Sequence, residues 1–260
     1  MKIIAFTCAD QNNIGYAKKM ANSFHFFHPD IEVKIYTEKE IGNPVNWYKQ
    51  KPLFAKELIK EYDLVIGLDA DQIITGDLSY LFNKDYDVAV VNNFCRSDIP
   101  KYGAVTVFDI PVDQYMNCGM VAMKSQKFIE NWWGLCNSFH FQNMRMREQD
   151  LLNLMIHFGD WKVLPLDRQV QGYNAWHGLL SKGEWLRMKL VDGKLILPKA
   201  PDNYPESDKE IKVMHWAGGG NEPKQNYRIS CTEEVIEYLD ELVKERTDER
   251  PAKKIKENIN

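Results

Sequence analysis

Leu64-Val65-Ile66-Gly67-Leu68-Asp69-Ala70-Asp71-Gln72-Ile73-Ile74 decides the reading of this chain. Apolar residues without alternation describe a strand covered on both faces, as in a parallel sheet. The run stops at two carboxylates. Buried charge is costly unless it meets something positive. In open parallel sheets, ligands gather at the C-terminal ends of the strands. Residues i and i+2 of an extended segment point the same way, so Asp69 and Asp71 are expected to reach one cation. A hard divalent ion with oxygen ligands commonly bridges phosphate oxygens. As a Lewis acid it would neutralise charge building on a departing diphosphate. A bare Asp-x-Asp also occurs in ordinary polar turns. The buried strand before it and the apolar Ile73-Ile74 after it favour the metal.

Working outward, Pro52 suits the first position of a helix running to about Tyr62. Ile3 to Thr7 reads as a first strand, followed by polar residues 8–13. Tyr16, Met20, Phe24 and Phe27 have helical spacing, and Ile31-Val33-Ile35 alternates as a second strand. This strand–helix–strand order opens a parallel, nucleotide-binding type of sheet. Downstream, Val88 to Val91 and Met120 to Met123 read as strands. Ser125 suits the cap of a helix carrying Phe128, Trp132 and Leu135. A helix starts near Glu148, with Gly159 placed to end it. Asp192-Gly193 signals a hairpin. Residues 198–208 read as a polar loop, and Lys212-Val213-Met214 leads into His215. Ser230 and Glu233 have capping-box spacing.

The 260 residues fit one large α/β domain or two small ones and suffice for a sizeable core. Hydrophobic content of 44% and charged content of 27% are those of a soluble globular protein. A net charge of -4 without a basic stripe argues against nucleic acid as a partner. No apolar run approaches the roughly 18 residues of a transmembrane segment. The opening Met1 to Phe6 is too short for a signal peptide and reads as strand. Cys8, Cys95, Cys118, Cys136 and Cys231 are scattered and lack zinc spacing, so reduced thiols and a cytoplasmic setting are expected.

His215 follows a short strand and precedes Gly218-Gly219-Gly220. Histidine ligates manganese-type ions, and glycines let backbone amides approach a phosphate closely. Alone, such a histidine is more often a loop or core residue; the acidic pair favours ligation.

With these elements in order, the chain resembles a glycosyltransferase of the GT-A fold, closest to family 8, which includes galactosyl-, glucosyl- and glycogenin-like enzymes. Lys51-Pro52-Leu53-Phe54 begins the helix before the acidic strand, and Leu68 to Ile74 resembles the family's Asp-Ala-Asp segment. Asn117-Cys118-Gly119-Met120-Val121 resembles its Asn-x-Gly strand, and Glu148-Gln149-Asp150-Leu151-Leu152-Asn153 its Asp-Gln-Asp helix. His215 to Lys224 resembles its His-x-x-Gly-x-x-Lys-Pro element. Glu148 departs from the usual Asp. The last element has Pro223 and Lys224 exchanged and no following Trp.

The resemblance implies a Rossmann-type, mixed and mostly parallel sheet flanked by helices. It implies one catalytic domain over 1–246, with a nucleotide-sugar half over about 1–123 and an acceptor-side half over about 124–246. Residues 247–260 read as a charged tail or linker. Mn2+ or Mg2+ would be held by Asp69, Asp71 and His215. The donor would be a UDP-sugar and the acceptor a glycan or other hydroxyl, with anomeric configuration retained. Thr7, Cys8, Ala9 and Asp10 would line the base and ribose pocket, with Asp10 as a helix cap the alternative. Asp69, Ala70 and Asp71 would also contact the donor, and Lys51 would neutralise phosphate or orient Asp69; a surface lysine is the alternative. Gly218 and Lys224 would meet the diphosphate. Asn117, Gln149 and Asp150 would surround the donor sugar, Gln149 and Asp150 at the anomeric carbon. Glu148 and Asp150 also suit a helix first turn. Trp176, Trp185 and Trp216 are acceptor-stacking candidates, with Trp216 favoured for the site and Trp185 for the core. Trp132 and Trp133 read as packing. The rivals are a sugar-nucleotide nucleotidyltransferase and a non-catalytic carbohydrate-binding protein. The first lacks its Gly-rich basic loop, since residues 8–13 hold neither glycine nor base. Intact Asp69, Asp71 and His215 argue against the second.

Overall fold

The computed structural model describes residues 1–42, 44–92, 110–111, 114–166, 188–196, 210–216, 227–229 and 231–245. In chain order its strands and helices are β1 (Ile3–Cys8), α1 (Ile14–Phe27), β2 (Glu32–Tyr36), α2 (Glu38–Ile41), α3 (Gln50–Leu58), β3 (Leu64–Leu68), β4 (Gln72–Ile74), β5 (Val88–Asn92), β6 (Met116–Met123), α4 (Gln126–Cys136), α5 (His140–Asn143), α6 (Glu148–Phe158), β7 (Val163–Leu166), β8 (Lys189–Val191), β9 (Lys194–Ile196), β10 (Val213–His215) and α7 (Glu233–Val243). Two compact units alternate along the chain: Met1–Cys8, Lys34–Leu68 and Tyr80–Arg168 form one, and Ala9–Val33, Asp69–Ser79 and Gln169–Asn260 the other.

The first unit is built on a six-stranded sheet in the order β2-β1-β3-β6-β5-β7. β1 and β3 are parallel, as are β5 and β7, while β6 is antiparallel to both β3 and β5. So β1, β3, β5 and β7 run one way and β6 the other, the mixed, mostly parallel sheet expected. β3 lies between β1 and β6 with all five residues buried, which is why its apolar run does not alternate. β7 was not foreseen, because Pro165 interrupts Val163-Leu164-Pro165-Leu166. It is an edge strand, where a missing N–H is tolerated. α4 packs against α3 and α6, and α6 against β6. Trp132, Phe128 and Phe6 are fully buried in this core. Each aromatic side chain so buried stabilises the fold by about 2–3 kcal/mol. The Ser125 hydroxyl caps α4, accepting from the Phe128 N–H at 3.2 Å. α3 begins at Gln50 and ends at Leu58, so Pro52 is its third residue rather than its first. It is still within the first turn, where a proline costs no helical hydrogen bond.

In the second unit, α1 packs against α7 and β4, and β4 pairs antiparallel with β10. Ile73, Met214, Trp216, Val235 and Leu239 are buried together. β8 and β9 form the expected hairpin, and Asp192 and Gly193 both have positive φ, 50° and 70°. That pair suits a type I′ turn, which matches the strands' twist. α7 begins at Glu233 with Thr232 at its cap position and no side-chain cap bond there. Ser230, the 198–208 loop and the 247–260 tail lie outside the described residues. Among the described residues, no helix is long and apolar enough to cross a membrane.

Candidate functional site

The β4–β10 ladder builds the metal candidate. Its register sets His215 opposite Gln72, and the Trp216 N–H continues the pairing by donating to the Asp71 carbonyl oxygen at 3.1 Å. The imidazole is thereby held beside the residues that precede β4. Asp69-Ala70-Asp71 is not extended as expected; Ala70 and Asp71 form a turn leading into β4. The turn, rather than a strand's alternation, gathers the carboxylates. His215 Nε2 lies 3.3 Å from Asp69 Oδ2 and 3.5 Å from Asp71 Oδ1. One ligand atom from each of the three falls within 4.8 Å of the others.

The donor set fits a divalent cation. His215 Nε2 is buried and meets neither carboxylate with hydrogen-bond geometry. A nitrogen set beside two carboxylates in this way can serve with them as a ligand to a divalent cation. Two carboxylates and a neutral imidazole balance a charge of +2. Without a cation the proton substitutes. Burial by itself would lower the His215 pKa, but Asp69 and Asp71 outweigh it and push it up to about 9.

At the end of β1, Thr7, Cys8 and Ala9 are buried, and Thr7 Oγ1 is a buried oxygen without a hydrogen-bond partner. Asp10 Oδ1 accepts from the Asn13 backbone N–H at 2.8 Å and from Asn13 Nδ2 at 2.6 Å. Asp10 therefore holds the turn before α1, and Asn13 occupies the cap position. Lys51 is buried, not a surface lysine. Its stem passes over Gly67, where a Cβ would meet Lys51 Cδ at 3.5 Å and Phe6 Cζ at 3.1 Å. Glycine leaves room for both. Trp216 is buried in its unit's core, its ring centroid 6.5 Å from that of Tyr227, and displays no open stacking face. Trp132 is core, as expected, donating from Nε1 to the Glu148 carbonyl at 3.0 Å. Trp176, Trp185, Gly218 and Lys224 lie outside the described residues.

The start of α6 faces β6 through buried amides. Asn153 Oδ1 accepts from the Met116 N–H at 2.6 Å, and its Nδ2 donates to the carbonyls of Met116 and Gln149 at 2.9 and 2.8 Å. Gln149 Oε1 accepts from the Cys118 N–H at 3.0 Å, while Asn117 Oδ1 accepts from the Gly119 N–H at 2.8 Å. Asp150 is fully buried. It accepts from the Tyr115 hydroxyl at 2.8 Å on Oδ1 and from the Met146 N–H at 2.8 Å on Oδ2. Tyr115 was invisible to sequence reasoning, since one tyrosine before a strand carries no periodic signature. Burial, reinforced by the Asp150 charge, pushes its phenol far above the ordinary range, so it keeps its proton.

No protein-family model matches the chain, and no curated protein matches its sequence. Solved structures are similar in fold. The galactosyltransferase LgtC, in complex with donor and acceptor sugar analogues, aligns with a TM-score of 0.57 and 16% identity over 95% of this chain and 98% of that one. The bifunctional glycosyltransferase WbbM in its apo form aligns at 0.57 and 14%, over 99% of this chain and 51% of that one. The glycosyltransferase GlyE of Streptococcus pneumoniae TIGR4 aligns at 0.52 and 15%, over 96% and 67%. Identities this low speak for architecture alone, and that architecture is the GT-A fold these glycosyltransferases share with this chain.

Proposed function

We propose that the chain is a metal-dependent glycosyltransferase that moves a hexose-type sugar from a UDP-sugar to an acceptor hydroxyl with retention of configuration. The observation that carries this reading is the cluster of a partly exposed Asp69 with the buried Asp71 and His215, whose Nε2 lies between the two carboxylates. The GT-A fold is the context in which such a cluster serves a nucleotide-sugar.

In this reading Asp69, Asp71 and His215 hold Mn2+ or Mg2+, which when bound supplies positive charge against a diphosphate leaving group. Thr7 to Asp10 take the base and ribose, and the unpartnered Thr7 Oγ1 suits a hydrogen bond there. Lys51, with Gly218 and Lys224, adds cationic and amide contacts to phosphate, an electrostatic contribution to catalysis. Asn117 and Gln149 hydrogen-bond sugar hydroxyls. No side-chain base pair is assigned to the acceptor. Its proton passes to the departing phosphate oxygen as the new glycosidic bond forms on the same face.

A panel of nucleotide-sugars with manganese tests the reading. Release of UDP from one UDP-sugar, accelerated by an acceptor, is the expected result. No turnover of any nucleotide-sugar, with or without acceptor, would overturn it.

A further inference from the structure

Gln149 is held at both ends of its amide, and the hold has a direction. Nε2 donates to the Tyr115 hydroxyl oxygen at 3.3 Å, that hydroxyl donates to Asp150 Oδ1 at 2.8 Å, and Oε1 accepts from the Cys118 N–H at 3.0 Å. A hydroxyl has one proton. Given to Asp150, it leaves the Tyr115 oxygen as an acceptor, so the amide must turn its NH2 to Tyr115 and its carbonyl to Cys118. A flipped amide would set NH2 against the Cys118 N–H and a carbonyl against an oxygen with no proton left. Each loss is a buried unsatisfied group. Tyr115, Asp150 and Asn153 are fully buried and Gln149 nearly so, with 6% exposure, so water cannot repair such a flip. Asn153 fixes the neighbouring backbone by donating to the Gln149 carbonyl.

We propose that Tyr115 and Asp150 are positioning residues: a one-way hydrogen-bond chain, Gln149 to Tyr115 to Asp150, fixes which end of the Gln149 amide faces the donor sugar. The consequence for transfer rests on the functional reading above; the chain itself does not. Asp150 is fully buried while Gln149 keeps 6% exposure, so Asp150 acts through Gln149 rather than on the sugar, and Gln149 meets the sugar with the second N–H or the second lone pair that its amide retains. Both of its carboxylate oxygens are engaged within the protein, one by Tyr115 and one by the Met146 N–H that precedes α6.

The chain is tested first by NMR of the Gln149 side-chain amide in 15N-labelled protein, identified by its loss in Gln149→Ala. Slow exchange of the wild-type amide protons, and a shift of their resonance in Tyr115→Phe, are expected. Fast, solvent-like exchange in the wild type would overturn the chain even if Tyr115→Phe did not fold. Transfer kinetics test the consequence. In Tyr115→Phe, kcat should fall about tenfold, the loss of a hydrogen bond acting in the transition state, with donor KM changed less than about twofold. In a Gln149→Ala background the same substitution should cost nothing further, because it acts through an amide no longer present. Additive losses would assign Tyr115 a merely structural part and overturn the positioning role. Asp150→Asn, similar in size, offers Tyr115 a donor and can reverse the chain, so kcat should fall there too; unchanged kcat would contradict the proposal. A wild-type protein that uses no nucleotide-sugar defeats the functional reading alone, and the amide resonance still decides the chain.

Discussion

Asp71 is buried in a turn, yet its backbone carbonyl, not its carboxylate, joins the β4–β10 ladder through Trp216. Asp71→Ala therefore keeps that ladder bond while removing a ligand and one of the two carboxylates that favour a protonated His215. Manganese affinity should drop about a hundredfold or more, and the melting temperature in chelator should fall most below about pH 6.5, where the lost carboxylate faced a charged imidazole; calorimetry and thermal denaturation check both halves. His215 gives a pH signature. Its folded pKa of about 9 stands above the ordinary 6.5. In metal-free protein the stabilisation is fully present below about pH 6.5 and is lost as pH rises through about 9. The difference is worth on the order of 3 kcal/mol. Urea denaturation in chelator should show wild-type stability falling across that window, with His215→Gln flat. Metal must displace the same proton, so manganese binding should tighten over the same rise in pH. The three ligand candidates were legible because carboxylates after a buried strand and a histidine before glycines are chemically conspicuous. Lys51's burial was not legible, because it depends on the side chain that Gly67 lacks. The engagement of Asp150 depends on Tyr115, a contact across 35 positions of sequence.

At the scale of elements, β3, the Ser125-capped helix and the Asp192-Gly193 hairpin were readable because each is specified locally, by burial pattern, cap or turn chemistry. β7 was missed because proline normally excludes a strand, and only its edge position admits it. Position in a sheet is a tertiary fact. The same holds for the Asp69 to Asp71 turn, which forms because β4 must pair with β10, over 140 positions away at its His215 end. Ser125→Ala removes the one side-chain acceptor at the start of α4 and should lower stability by about 1 kcal/mol in urea titration. The element from His215 to Lys224 makes a separate prediction. If Lys224 meets the distal phosphate, Lys224→Ala should weaken UDP by about tenfold and UMP hardly at all; equal losses for both would remove Lys224 from the account.

For the whole molecule, charge frames the question. The chain carries a net charge of -4, and its candidate site presents two carboxylates. Such a site repels a diphosphate unless a cation intervenes. A glycosyltransferase of this composition should depend on its metal for nucleotide binding itself, before any chemistry. The mixed, mostly parallel character of the six-stranded sheet was anticipated through the family resemblance, and its buried strands through runs of apolar residues, since such a strand must be apolar on both faces; the strand order was not. The direct test is calorimetric titration of UDP into wild-type protein with manganese, then with excess chelator, and into Asp71→Ala with manganese. The account predicts measurable UDP binding in the first case, weaker by about tenfold or more in the other two. UDP binding equally well in all three would contradict it.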